Sequence, residues 1–148
     1  MTVLSDKEIL QHIEQGEIEI TPFEPACLNP AGYDLRSAIE LTINPSQSRL
    51  VASLEKVQLG LSVMAYLYLR SSLTREGVIG GFAVVDPGFS GQLTFNFHNL
   101  GENIVRVEKG EPIVQIVFHK LGSMANRGYA GKYQKSVGIV ESKRAQPC

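Results

Sequence analysis

With 148 residues and a mass of 16.2 kDa the chain is the size of one domain, and an apolar share of 43% is enough to build a core. The 14 Lys+Arg against 15 Asp+Glu leave a net charge of −1, which argues against a groove that tracks nucleic acid. The longest uncharged apolar stretch, residues 77–85, is far too short to cross a bilayer, so no membrane partner is expected.

The first element reads as a short helix. Ser5 is a good N-cap with Glu8 three residues on, Ile9, Leu10 and Ile13 share a face, and Gly16 is a natural stop. Residues 1–6 lack a basic then apolar leader, and the two cysteines, Cys27 and Cys148, suit a reducing compartment, so a cytoplasmic location is expected. Ile18-Glu19-Ile20-Thr21 alternates as a strand that Pro22 ends. Residues 23–30, with Pro25 and Pro30, read as loop.

From there the period is two. Every odd position from Val57 to Leu69 is apolar, and that length predicts two strands or one bent strand. Leu93, Phe95 and Phe97 mark another strand. Residues 104–107 and 113–119 are two more, joined by a turn at 108–112. After Gly122 the chain turns polar without periodicity. Residues 123–148 therefore read as an extended tail, expected to order on binding, appended to a β domain of residues 1–122. The body is all-β with one N-terminal helix, a sandwich, jelly roll or barrel.

Several kinds of chemistry lack their residues. There is no Gly-x-x-x-x-Gly-Lys-Ser/Thr phosphate loop, no Gly-x-Ser-x-Gly elbow and no Cys-x-x-Cys, and His12, His98 and His119 lack metal-ligand spacing. Polar residues do interrupt the apolar strands in four places. Arg70-Ser71-Ser72 offers a guanidinium and two hydroxyls, the inventory for anionic oxygens; the bland reading is a strand-end turn. Asp86-Pro87-Gly88 is a turn signature whose Asp either caps the turn or positions water or metal. Asp34, after Gly32-Tyr33, reads as a lone loop carboxylate. Gln115, inside an apolar strand, needs partners for its amide or faces outward.

In this order and spacing the segments resemble the homotrimeric dUTPase and dCTP deaminase superfamily. Ala31-Gly32-Tyr33-Asp34-Leu35, Arg70-Ser71-Ser72-Leu73, Val85-Asp86-Pro87-Gly88-Phe89-Ser90-Gly91 and residues 110–115 look like its four motifs, and both ends of the chain resemble the deaminase branch. The resemblance implies a distorted jelly roll, a homotrimer with active sites at subunit interfaces, and a Mg²⁺-bound deoxynucleoside triphosphate as ligand. Deaminases of this family carry a Glu ten residues after the third-motif Asp, and here that position is Asn96. An amide offers no usable proton equilibrium for general base work. Gly81-Phe82-Ala83 also departs from the deaminases' Thr-Ala-His-like residues, and the chain reads as short for a deaminase.

The reading is therefore dUTP hydrolysis to dUMP and pyrophosphate, a hydrolase with deoxyuridine triphosphate as partner. On the resemblance, Asp86 activates water. Asp34 holds a Mg²⁺-bound water or orients Arg70, and Arg70, Ser71, Ser72 and Gln115 bind phosphates across the interface. Phe89 packs on the deoxyribose, and the hairpin 80–85, ending in Val85, reads uracil with backbone groups. Tyr129, Lys132 and Gln134 belong to a tail that closes over the triphosphate, although it lacks the Arg-Gly-x-x-Gly-Phe-Gly of standard dUTPases. Arg75 matches a deaminase position. Two alternatives stay open: a dCTP deaminase or bifunctional enzyme in which another acid, such as Glu76, replaces the missing Glu, and a non-catalytic nucleotide-binding regulator.

Overall fold

The computed structural model describes residues 2–147. After β1 (Thr2–Val3) comes α1 (Asp6–Glu14), opened by a capping box: Ser5 N donates to Glu8 Oε2 at 2.9 Å and Glu8 N to Ser5 Oγ at 3.4 Å. Gly16 takes the left-handed φ of +74° that turns the chain into β2 (Ile18–Thr21). Residues 23–30 are not wholly loop. They hold one 3₁₀ turn, Pro25–Cys27, and the two-residue β3 (Leu28–Asn29). Cys27 is buried with a free thiol; Cys148 lies outside the described residues.

Next come β4 (Gly32–Arg36), β5 (Leu41–Ile43), β6 (Ser48–Leu59), β7 (Val63–Leu69) and α2 (Ser71–Arg75). They are followed by β8 (Val78–Gly81), β9 (Ser90–Asn99), β10 (Val105–Val107) and β11 (Pro112–Lys120). The alternating run 57–69 is two strands, parted at Gly60–Ser62. The first of them starts nine residues earlier than its alternation suggests, at Ser48, because the register slips between Ala52 and Lys56 and the period of two breaks there.

Two sheets enclose the core, built from fully buried Tyr33, Phe95, Phe97 and Phe118 among others. In the first sheet β11 is central, with β7 along one edge and β4 then β1 along the other; β3 extends β4. The second runs β2-β6-β9-β8, and β5 and β10 form a separate ribbon. All pairings are antiparallel, which suits the expected all-β jelly-roll class. Among the described residues no helix is long and apolar enough to cross a membrane.

Among its described residues the tail contains no helix or strand, and it is seated on the body by backbone hydrogen bonds. Tyr129 N donates to Pro87 O at 2.7 Å, Lys135 N to Ser90 O at 2.7 Å and Gln92 N to Ser136 O at 2.9 Å.

Candidate functional site

The segment of Asp34 is strand, not loop. Its residues fail to alternate because β4 is buried on both faces. In register across the sheet lie Asp34 on β4, Gln115 on β11 and Tyr68 on β7, so the three side chains share a face. Asp34 is nearly buried, and its Oδ2 lies 3.1 Å from Arg70 Nη1. Gly32, two residues earlier on the same face, must be glycine: a Cβ there would sit 2.5 Å from Ile116 O and 3.0 Å from Gln115 Nε2. Arg70 N donates to Ile113 O at 3.1 Å, which ties the end of β7 to β11. Ser71 and Ser72 follow, exposed, in the first turn of α2. Arg75 folds back on its own helix, Nη1 donating to Ser71 O at 3.1 Å. Arg70 pairs with Asp34, Gln115 stands opposite Asp34 across the sheet, and Ser71 and Ser72 follow Arg70, a set of donors suited to anionic oxygens.

A buried ionic cluster behind β4 has no counterpart in the sequence pattern. Glu55, fully buried in the β6 bulge, accepts from Arg36 N at 2.8 Å and Arg36 Nε at 2.6 Å. It also receives the Tyr33 hydroxyl at 3.5 Å. Burial pushes the Tyr33 phenol up to about 12, and the hydrogen bond to Glu55 raises Arg36 further. Nothing in Leu54-Glu55-Lys56 distinguishes this carboxylate from a solvated one.

Asp86 stands elsewhere. Asp86-Pro87-Gly88-Phe89 is a type II turn, with Phe89 N donating to Asp86 O at 3.1 Å and Gly88 at φ +81°. Gly88 N and Phe89 O bond to Leu59 O and N at 3.0 and 2.9 Å, so the turn is nailed to the end of β6. Asp86 itself is exposed, and neither ion pair found among the described residues, Arg36–Glu55 or Arg70–Asp34, occupies its carboxylate. It opens onto a cavity of about 460 Å³ walled by Phe89, Leu93, Asn96, Tyr129 and Tyr133.

The tail roofs this cavity. Tyr129 meets Phe89 edge-on at 5.8 Å. Gln134 Nε2 donates to Gly88 O at 2.8 Å and to Tyr129 O at 2.9 Å, while its Oε1 accepts from Ser90 N at 2.8 Å. Two of the expected residues are engaged elsewhere in this structure. Lys132 turns away, its Nζ donating to Lys143 O at 3.2 Å and to Gln146 O within the tail. Val85 N and O are both bonded to Ala65, at 2.9 and 3.0 Å, which leaves its backbone no N–H to donate to a base. Beside Val85, Ala83 and Val84 also line the cavity.

Within one chain the two clusters do not meet. Val85 is bridged to Ala65, and Arg70 lies five residues further along that strand. At a strand rise of ~3.3 Å per residue this separates them by about 16 Å. Among the described residues no group of three acidic, His or Cys side chains is placed to hold a metal.

A family model described as dCTP deaminase-like matches residues 3–43 and 37–121. The chain is 41% identical over 143 residues to the dCTP deaminase of Pyrococcus horikoshii, covering 86% of this chain and 92% of that one. It is 31% identical over 169 residues to the dUMP-forming dCTP deaminase of Aquifex aeolicus, covering 95% and 94%. The solved EIAV dUTPase superposes with a TM-score of 0.60 at 17% identity, covering 78% of this chain and 96% of that one, a likeness of fold. This chain covers 92% of the Pyrococcus horikoshii protein, so length alone does not set it apart from a chain named as a deaminase.

Proposed function

The chain belongs to the dCTP deaminase-like family, whose members act on nucleotides, and from that membership we propose that it hydrolyses dUTP to dUMP and pyrophosphate. The observation that carries this is one wall of one cavity. Asp86, in neither ion pair found among the described residues, lines the same cavity as Asn96, where deamination requires an acid. Glu76, the alternative acid, ends α2 and is not part of that wall.

In this reading the Asp86 carboxylate takes a proton from a water molecule as its oxygen attacks the α-phosphorus. The bond from that phosphorus to the bridging oxygen breaks, and pyrophosphate leaves with the electron pair. Phe89 and Leu93 wall the sugar and base, and the backbone of Ala83 and Val84 meets the polar edge of uracil. Arg70, Ser71, Ser72 and Gln115 of a neighbouring copy hold the phosphates, which requires the homotrimer. Mg²⁺ bound to the triphosphate supplies neutralising charge. Asp34 spends one oxygen on Arg70 and so orients it directly; its other oxygen would be free to accept from a Mg²⁺-bound water.

The relatives' names favour a second reading, dCTP deamination. The purified protein is incubated with Mg²⁺ and either dUTP or dCTP, and the products are separated by chromatography. dUMP and pyrophosphate from dUTP, with dCTP intact, is the expected result. dUTP or dUMP formed from dCTP would overturn it.

A further inference from the structure

The second sheet leaves an edge that the tail fills. β9 pairs with β6 along one side from Ser90 to His98, but on its other side β8 reaches only from Asn96 to Asn99. Residues 90–94 therefore have an open edge. The tail runs parallel to it, residue 135 opposite 90 and 136 opposite 92, through Lys135 N to Ser90 O and Ser136 O from Gln92 N. Beyond Ser136 the backbone pairing stops and two β9 side chains take over. Gln92 Oε1 accepts from Gly138 N at 2.7 Å. Thr94 Oγ1 accepts from Val140 N at 3.1 Å and donates to Gly138 O at 3.5 Å.

Gln92 faces both ways. Its Nε2 donates to Ser53 O at 2.8 Å and Leu54 O at 3.3 Å, the carbonyls of the β6 bulge that carries Glu55. Both of its N–H donors go to β6, and its oxygen accepts from the tail. The part of the tail held in this way supplies Ser136, Val140 and Ser142 to the wall of the Asp86 cavity.

We infer that Gln92 and Thr94 are positioning residues that seat the tail over the Asp86 cavity, replacing a missing strand partner with side-chain bonds. The effect on nucleotide use rests on the function proposed above; the seat itself does not. Thr94 is the cleaner probe because its hydroxyl bonds only to the tail, whereas loss of Gln92 also frees the bulge carbonyls. Losing one such bond is expected to weaken seating by about tenfold. An interaction removed equally from bound substrate and transition state raises KM and leaves kcat largely unchanged.

The test compares full-length wild type with Gln92→Ala, Thr94→Val and Thr94→Ser. Amide hydrogen exchange is read at Gly138 and Val140, and KM and kcat are measured for dUTP. The expected result is exchange at both amides faster by about tenfold in the first two variants, KM raised by a similar factor, and near wild-type behaviour in Thr94→Ser. Unchanged exchange at Gly138 and Val140 in Thr94→Val would overturn the seat. Faster exchange with unchanged KM would overturn its bearing on the nucleotide. A wild type with protected amides but no dUTP turnover would support the seat and sink the substrate reading instead.

Discussion

Asp86 owes its free carboxylate to a turn that is held everywhere except at its side chain. Gly88 N, Phe89 N and Phe89 O are all bonded, and Pro87 fixes the backbone between them. Asp86→Asn keeps that geometry and removes the proton acceptor. Steady-state kinetics should show kcat for dUTP lower by about 10²–10⁴-fold, with the affinity for a non-hydrolysable analogue nearly unchanged. Turnover within a fewfold of wild type would rule Asp86 out as the base. Gly88 is the second sensitive residue. It has a left-handed φ, and a Cβ there would lie 2.5 Å from Gly128 Cα of the tail. Gly88→Ala should cost at least about 1 kcal/mol in a thermal or denaturant melt and loosen the tail crossing, readable as new protease cleavage near residue 128.

At the scale of elements, strand β4 depends on the β6 bulge. Glu55 holds Arg36 and Tyr33 on either side of Asp34, and with its carboxylate gone the Arg36 guanidinium and backbone amide lose their acceptor. Glu55→Ala should lower stability by about 3–5 kcal/mol, the range for breaking a buried pair by removing one partner, measured by denaturant unfolding at fixed protein concentration. These two elements are also where the sequence is hardest to read. Strands 63–69 and 90–99 are legible because each buries one face, strand 112–120 from its apolar run, and the helix from its cap. β4 is not, since burial on both faces erases alternation. The front half of β6 is not, since the bulge shifts the register and puts Ser53 and Glu55 inside. The site follows the same division. Asp86, Arg70 and Asp34 stand out as polar breaks in apolar runs, but Gln92 looks like any outward residue of an alternating strand, and only the fold shows what it holds.

At the scale of the whole molecule, the buried Tyr33 phenol gives the fold a pH limit. Its folded pKa of about 12 lies above the ordinary value near 10 for an exposed phenol, so the folded state keeps the proton more tightly. The stabilisation is full below pH 10 and is lost as pH rises from 10 through 12. In melts across that window wild type should lose stability more steeply than Tyr33→Phe; equal slopes would show that Tyr33 does not set the limit.

The larger consequence concerns assembly. The Arg70 cluster and the Asp86 cavity lie about 16 Å apart along β7, so in the proposed reaction one chain does not bring both to one α-phosphorus. On the proposed function, a working site takes Asp86 from one copy and Arg70 from another. The most direct measurement is complementation. Asp86→Asn and Arg70→Ala proteins, each nearly inactive alone, are mixed, allowed to exchange subunits, and assayed for dUTP hydrolysis. Recovery of a substantial fraction of wild-type turnover, from sites that combine an intact Asp86 with an intact Arg70, is the predicted result. A mixture no more active than its parts, with exchange verified by mass, would contradict the shared site.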